Sequence, residues 1–337
     1  MKRIAFFIIV FFVFTGSDTQ AGIVIQSHTD AGPWLKSSAI YPLKGQKVLL
    51  RVREISGAAI RWYRIFPDIS KFYKNANHPW EKNPYQWVGF DKIDYHREEL
   101  ALFRDQWEIE PFKTVRTTDP SDIWDNALSW FGFSESEPAD SRYCQKDVGS
   151  FWFQAVTEKN GKTEKTPGIE DSGERGLSPK VFRISLRDSE GYVGYLTSFF
   201  NVPGLFGSVP YQSNNHIGAD CADILIAAYG KWKGKRIKKN YNVAMLVNKF
   251  PVIAEFEMAE GSPDKAVQWG NIRSGDFIAV RYRPGSQYQH IGALFRDANE
   301  NGILDGRDLV LHAGPDPLHF SYLEEGGFDG HVRILRP

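Results

Sequence analysis

The spacing of hydrophobic and polar residues predicts mostly β-structure in the first half of the chain. Short segments there are either apolar or alternate between apolar and polar positions, and turn-forming residues bound them. The clearest of these predicted strands are residues 47–53, 59–65, 150–156 and 180–187. Residues 66–147 contain scattered prolines and no sustained pattern, so we expect a long irregular insertion there.

The pattern changes near residue 188, after which a helix and a small antiparallel sheet are expected. Asp220 is a good N-cap residue for a helix that runs to about Tyr229. The buried stripe of this helix would consist of Ile224, Leu225 and Ala228. Three strand-like segments follow, at residues 275–282, 290–295 and 308–312. A helix followed by consecutive antiparallel strands indicates an α+β domain.

The chain has 337 residues, which is longer than one ordinary domain, and we divide it into three parts. Residues 1–21 are expected to be a signal peptide and residues 22–187 a β-rich N-terminal domain that contains the insertion. Residues 188–337 would form the α+β domain. Because Trp62 lies on an early predicted strand, the N-terminal domain faintly resembles an immunoglobulin-like sandwich.

The first 21 residues have the three parts of a secretory signal. Lys2 and Arg3 supply positive charge, residues 4–14 are apolar, and residues 19–21 offer a cleavage site with small residues. The apolar run is too short to cross a bilayer and no second one follows. We therefore expect an exported protein, periplasmic or extracellular, without a membrane span. The chain has 41 basic and 41 acidic residues, and this balance argues against nucleic acid as a partner. We also expect the protein to be a monomer.

Cys221, at the predicted start of the helix, is the candidate nucleophile. A thiol attacks a carbonyl carbon as the thiolate, and the unpaired N–H groups of a helix N-terminus stabilise that anion. His290 and His312 follow on predicted strands, which is the layout of a thiol with its base and an orienting residue. The alternative is a disulfide with the other cysteine of the chain, Cys144, which an oxidising compartment would permit.

The two histidines are expected to face each other across a hairpin. If the turn is centred near Asn301, the pairing places His290 directly opposite His312. Opposite side chains of an antiparallel pair have Cβ atoms roughly 5 Å apart, so the two rings could form a hydrogen bond. One ring would then face the thiol as a base, while the other would fix its tautomer.

Five segments resemble, in the same order, the NlpC-type cysteine peptidases, which are a papain-like family. They are residues 202–208 (VPGLFGS), 220–223 (DCAD), 274–278 (SGDFI), 290–294 (HIGAL) and 311–313 (LHA), within roughly residues 190–315. The resemblance implies a papain-like fold with Cys221 as nucleophile, His290 as general base and His312 as orienting residue. It also implies that the substrate is peptidoglycan or its peptide fragments, cut at an amide bond of the stem peptide.

The hairpin between the two histidines carries a calcium-loop pattern. Residues 297–308 read DANENGILDGRD, close to an EF-hand loop with oxygen-bearing side chains at positions 1, 3, 5, 9 and 12. The expected ligands are Asp297, Asn299, Asn301, the backbone carbonyl of Ile303, Asp305 and Asp308. A structural Ca²⁺ there would hold the strands of the two histidines in place, and no cofactor is expected for catalysis itself.

Two positions depart from the pattern of the family and bear on the substrate. The family has Ser and Gly after the nucleophile, where this chain has Ala222 and Asp223. In family members the residues on both sides of the cysteine help to hold the substrate, so Asp220 and Asp223 are the expected substrate-binding residues. The departures leave open a different amidase or acyl transferase on the same scaffold. A further alternative is a non-catalytic, calcium-stabilised wall-binding protein in which Cys221 is tied to Cys144.

Overall fold

The structure of the protein is a computed structural model. In its first half, two β-sheets pack face to face. The structure describes residues 23–30, 32–71, 73–74, 92–104, 107–112, 143, 145, 147–314 and 316–337. The described strands of this half are β1 (Gln26–Thr29), β2 (Ala39–Ile40), β3 (Val48–Arg51), β4 (Ala59–Pro67), β5 (Tyr73–Lys74), β6 (Tyr95–Arg104), β7 (Glu108–Ile109), β8 (Gly149–Lys159), β9 (Lys162–Lys165) and β10 (Phe182–Leu186). A 3₁₀ helix occupies Ile169–Asp171. The predicted signal peptide and Cys144 lie outside the described residues.

Among the described strands, the larger sheet has the order β2–β10–β8–β4–β6 with β9 paired to β8, and the smaller has the order β1–β3–β7. The pairs are antiparallel except β2 with β10. Apolar side chains from both sheets form one core, in which Trp62, Leu50 and Phe153 are fully buried. Alternate residues of a strand point to one face, so each sheet contributes every second side chain to this core.

Strand β6 lies within the segment 66–147 for which we expected irregular structure, and that expectation was wrong here. Its residues from His96 to Glu99 are consecutive polar side chains, which hide the alternation of a half-buried strand. The strand pairs with β4 along its whole length, with a bulge in which Leu100 is the extra residue. Pairing with a long neighbour, rather than local sequence, therefore determines this strand.

The second half of the protein contains the longer helices and another sheet. The helices are α1 (Gly191–Thr197), α2 (Pro210–Asn214), α3 (Cys221–Trp232) and α4 (Val243–Lys249). The strands are β11 (Leu205–Phe206), β12 (Val252–Ala259), β13 (Ser262–Pro263), β14 (Phe277–Arg281), β15 (His290–Arg296), β16 (Leu309–His312), β17 (His319–Tyr322) and β18 (Gly330–Leu335). No described helix combines the length and the apolar character needed to cross a bilayer.

The sheet of this half is buried on both faces. In the described part of the chain its order is β13–β12–β18–β14–β15–β16–β17, and all of its pairs are antiparallel. Ile291 and Ala293 of β15 belong to the core that includes helix α3. Leu294 and Val310 belong to a second core on the opposite face, around Phe328. The helix that begins at the cysteine therefore packs on one face, directly against β15.

The two halves share a hydrophobic core across the predicted boundary at residues 187 and 188. Trp152 and Ile65 of the larger N-terminal sheet belong to the same buried cluster as Leu225 of helix α3. Buried Arg183 of β10 also donates a hydrogen bond to the carbonyl of Asn215, directly after α2. The boundary thus marks a change of architecture within a continuous core.

Candidate active site

Cys221 is the first residue of helix α3, and the residue before it caps the helix. Oδ1 of Asp220 accepts a hydrogen bond from the backbone N–H of Asp223 at 2.9 Å. This satisfies one of the N–H groups that a helix N-terminus leaves without a partner within the helix. The Cys221 thiol is free and partly buried. The alternative of a Cys144–Cys221 disulfide is therefore not supported at the cysteine that the structure describes.

A cavity of about 260 Å³ opens between the start of helix α3 and the start of strand β15. Its described lining residues come from the segment before the helix, the β14–β15 hairpin and the loop after β16. They are Gly204, Leu205, Phe206, Ala219, Asp220, Cys221, Tyr282, Gln289, His290, Gly314 and Asp316. The nucleophile and the base that the sequence predicts therefore face the same space. None of the described hydrogen bonds joins the Cys221 sulfur to the His290 ring.

His290 and His312 contact each other, although their strands pair in a different register from the one we expected. His312 lies opposite Gly292 rather than opposite His290, a shift of two residues, because the pairing beside the histidines is centred on residue 302 instead of residue 301. A shift of two keeps every side chain on its face, so the histidines remain on the same side of the sheet. Nε2 of His290 and Nδ1 of His312 are 3.0 Å apart.

Gly292 makes this diagonal contact possible. A Cβ atom built on Gly292 would lie 2.9 Å from Cβ of His312 and 2.8 Å from a methyl group of Val310. Because the glycine has no side chain, the space above it is free for the His312 ring to lean along the strand toward His290. The glycine two residues after the base is therefore a steric requirement of the histidine pair.

Sequence reasoning missed the next residue of this hydrogen-bond chain, Ser321. Nε2 of His312 is 2.8 Å from Oγ of Ser321 on the neighbouring strand β17, and both residues are buried. The ring of His319, also on β17, packs against His312 with centroids 4.4 Å apart. The only available signal was the polar alternation of His319 and Ser321 within a short strand.

A base at Nδ1 of His290 requires one particular tautomer of each ring of the pair. His290 can accept a proton from the thiol only at Nδ1, because its Nε2 is engaged by His312. Nδ1 of His290 is free of a proton when Nε2–H of His290 donates to Nδ1 of His312. His312 then carries its own proton on Nε2 and donates it to Oγ of Ser321. In this arrangement the hydroxyl of Ser321 is the acceptor at the end of the hydrogen-bond chain.

Burial disfavours charge at both reacting groups. It raises the pKa of the Cys221 thiol above its ordinary value, and the negative charge of Asp220 raises it further. Burial also lowers the pKa of His290 to about 4, with a smaller contribution from the charge of His319. We expected the helix N-terminus to favour a thiolate, but desolvation and Asp220 outweigh it here. The resting site therefore holds a neutral thiol beside a neutral imidazole.

The two aspartates predicted to bind substrate occupy different positions. Asp220 lines the cavity, and burial raises the pKa of its carboxyl to about 6. Asp223 is 1 % exposed and does not line the cavity, and its Oδ2 accepts a hydrogen bond from Oγ of Ser208 at 2.5 Å. Burial, followed by the charge of Asp220, raises the pKa of Asp223. This position argues against a role for Asp223 in binding substrate.

The predicted calcium loop brings together only some of its expected ligands. The side-chain amides of Asn299 and Asn301 donate to one carboxylate oxygen of Asp305, at 3.0 and 2.6 Å. Asp297 accepts hydrogen bonds from the backbone N–H groups of Asn301 and Gly302. The side chains of positions 3, 5 and 9 therefore form one cluster, to which Asp297 at position 1 is joined through the backbone. The N–H of Ile303 donates to Oδ1 of Asn301 at 2.7 Å.

Asp308, the expected twelfth position of the loop, has a different role. It is fully buried, and its two oxygens accept hydrogen bonds from Ala298 N–H, Asp305 N–H and Nε1–H of Trp269. With three donors on this carboxylate, Asp308 closes the loop without a metal. Among the described residues, no group of three or more His, Cys, Asp and Glu side chains is arranged to hold a metal ion.

The site thus consists of a helix-capped thiol, a histidine pair and a serine, and the thiol and His290 face one cavity. Comparison of the chain with protein-family models, with curated proteins and with solved structures found no match to any of them.

Proposed function

We propose that the protein is an exported, papain-like cysteine hydrolase that cleaves amide bonds in the stem peptides of bacterial peptidoglycan. The observation that carries this proposal is that Cys221 and His290 line one cavity, while His290 is hydrogen-bonded to His312. A nucleophile, a base and a group that orients the base are the minimal set for acyl transfer by a thiol. The order of the sequence motifs, with their resemblance to the NlpC-type peptidases, supplies the substrate class.

In the first step, substrate binding brings the scissile carbonyl to the thiol. His290 Nδ1 takes the proton of Cys221, and the sulfur attacks the carbonyl carbon. The backbone N–H of Cys221, at the start of helix α3, donates to the oxyanion that forms. When the C–N bond breaks, the imidazolium of His290 gives its proton to the leaving amine, and a thioester remains on Cys221.

In the second step, water attacks the thioester with His290 again as the base. The C–S bond breaks, the sulfur regains a proton from His290, and the product leaves with a new carboxylate. His312 and Ser321 take no part in bond making. They hold His290 in the tautomer whose Nδ1 can accept the proton in both steps.

The cavity wall supports a substrate that carries an amine. Asp220 and Asp316 contribute carboxylates, and the described lining residues include no Lys or Arg. A negative wall attracts the amino group of a diamino acid and repels an isolated carboxylate. Leu205 and Phe206 provide the apolar side of the same wall.

The direct test is digestion of purified muropeptides by the wild type and by Cys221→Ala, with the products identified by mass spectrometry. We expect the wild type to release one defined pair of fragments, of which one has gained a free amine and the other a carboxylate. Cys221→Ala should release none while it keeps the melting temperature of the wild type. Equal digestion by the two proteins would show that the thiol is not the nucleophile.

A second candidate function is a different amidase or an acyl transferase with the same nucleophile. It is favoured because Ala222 provides no hydroxyl and is buried, and because Asp223 does not reach the cavity. The substrate contacts of the family are therefore absent on this side of the thiol. This second function would be favoured if the wild type releases a chromogenic leaving group in a burst but leaves muropeptides uncut.

We further propose that the loop 297–308 binds one calcium ion that stabilises the β15–β16 hairpin. Oxygen atoms are the ligands that Ca²⁺ prefers, and Asp297, Asn299, Asn301 and Asp305 supply them, together with the carbonyl of Ile303. The side chains of Asn299, Asn301 and Asp305 already form one hydrogen-bonded cluster, and Asp297 accepts from the backbone N–H of Asn301, which supports the proposal. The ion would have a structural role, and no step of the reaction involves it.

A further inference from the structure

A strongly basic surface lies at the end of helix α3 that is remote from the cysteine. Residues 224–254 contain seven basic side chains and no acidic one, although the whole chain has 41 of each kind. The basic residues are Lys231, Lys233, Lys235, Arg236, Lys238, Lys239 and Lys249. All except Lys231 are exposed. We call these six exposed residues the lysine surface.

The positive charges of the lysine surface are not neutralised by ion pairs with the residues that the structure describes. None of its six members forms an ion pair with any residue in the described part of the chain. Three of them instead lie over aromatic rings. Lys233 Nζ is 3.4 Å from the Trp232 ring centroid, and the Nζ atoms of Lys239 and Lys249 are 5.4 and 5.5 Å from that of Tyr241. Lys239 and Lys249, on different elements, therefore share one ring.

The loop that carries most of these charges is held in a fixed conformation. The side chain of Asn214 bonds both the carbonyl and the N–H of Ile237, at 2.7 and 3.3 Å. The N–H of Lys235 donates to the carbonyl of Gly230 at 2.7 Å. Any side chain at Gly230 would meet the Lys235 carbonyl at 2.6 Å, so the loop lies directly on the helix. Little backbone ordering would therefore accompany binding.

Exposed apolar side chains accompany the charges. Trp232 is 37 % exposed and Met245 is 41 % exposed, and they flank the lysine surface on helices α3 and α4. Lysines together with exposed Trp and Met are the composition of a surface that inserts shallowly among lipid headgroups. A soluble polyanion would need the charges but not the apolar groups.

We propose that the lysine surface docks the protein on a membrane that contains anionic phospholipids. Helix α3 has 12 residues and is therefore about 18 Å long, with Cys221 at one end and Trp232 at the other. A membrane bound at the Trp232 end would leave the cavity open to the aqueous side. The proposal does not depend on the catalytic activity, because no member of the surface lines the cavity.

The test is co-sedimentation of the purified chain, without residues 1–21, with vesicles of phosphatidylcholine that contain or lack phosphatidylglycerol. We expect binding only to the anionic vesicles, with a steep loss as NaCl rises from about 0.05 to about 0.3 M. The variant Lys235→Glu, Arg236→Glu, Lys238→Glu, Lys239→Glu should bind at least about 100-fold more weakly, since each basic residue contributes roughly a fivefold factor near such a surface.

Two controls make the result specific. Reversal of four exposed lysines elsewhere should leave vesicle binding nearly unchanged, and these are Lys36, Lys92, Lys162 and Lys180. Trp232→Ala should weaken binding to vesicles but not to soluble polyphosphate. Equal losses in the two charge-reversal variants would overturn the proposal, because net charge alone would then explain binding. Binding to polyphosphate but not to anionic vesicles would overturn it as well and would assign the surface to a soluble polyanion.

Discussion

Replacement of Ser321 by alanine tests whether the histidine pair works through its tautomers. When Nδ1 of His290 acts as the base, Oγ of Ser321 accepts Nε2–H of His312 at 2.8 Å in a buried position. Alanine leaves two possibilities. Either that N–H stays buried without an acceptor, or His312 moves its proton to Nδ1. In the second case Nδ1–H of His312 donates to His290, whose own proton must then be on Nδ1, where it blocks acceptance of the thiol proton.

The magnitude follows from the cost of the first possibility. A buried donor without a partner costs about 1–3 kcal/mol, and this is the amount by which the active tautomer becomes less favourable. Every 1.4 kcal/mol corresponds to about a factor of ten in rate, so Ser321→Ala should lower kcat/KM by about 5- to 150-fold. Ser321→Thr keeps the hydroxyl and should recover most of the loss.

Two measurements separate the tautomer effect from a general loss of structure. The first is kcat/KM on the muropeptide that the wild type cleaves. The second is the rate at which iodoacetamide alkylates Cys221, which needs no substrate and depends on the base. We expect both to fall in Ser321→Ala and to recover in Ser321→Thr. If the alanine variant keeps both rates within about twofold of the wild type, the serine does not set the tautomers and the reasoning fails.

Three further predictions concern charge, packing and metal. Asp220→Asn keeps the helix cap but removes the carboxyl, whose pKa burial raises to about 6. In the wild type the protonated carboxyl stabilises the fold at acid pH, and this stabilisation is lost as the pH rises through 6. The melting temperature of this variant should therefore fall less than that of the wild type between about pH 4 and 7, and its Cys221 should be alkylated faster at neutral pH; identical profiles would contradict both assignments. Gly292→Ala should lower activity at least about tenfold, because the added Cβ displaces His312. Gly270→Ala is the control and should have a smaller effect, because a Cβ there meets nothing within 4 Å. Chelation of calcium should lower the melting temperature and activity together, and an unchanged melting curve would exclude a structural ion in loop 297–308.

Local patterns were sufficient to predict the elements around the site. Asp220 is the cap of helix α3, and the helix continues three residues past the expected end at Tyr229. The three strands expected after it are β14, β15 and β16, in antiparallel order. These features depend on side chains that are close in sequence, such as a cap and its first turn, or on alternation within one strand.

Features that depend on contacts between distant segments could not be predicted in this way. The hairpin pairing is centred one residue later than Asn301, which shifts the register by two residues, and no local signal marks this difference. Ser321 lies next to His312 because β17 pairs with β16, and the short sequence of β17 does not predict that pairing. The burial of Asp223 likewise follows from the position of Ser208, which precedes it by 15 residues. In each case packing decided between chemical roles that the residue types alone left open.

The pKa directions also determine how the cysteine can be activated. Burial raises the pKa of Cys221 and lowers that of His290, so transfer of a proton between them is unfavourable in the empty site. A thiolate–imidazolium pair in the empty site would instead require a lowered pKa for Cys221 and a raised pKa for His290. The cost falls if a substrate ammonium group neutralises Asp220, because the charge of Asp220 is the second cause of the raised thiol pKa. On this reasoning an amine-bearing substrate takes part in its own cleavage, and the site discriminates through the rate of proton transfer as well as through binding.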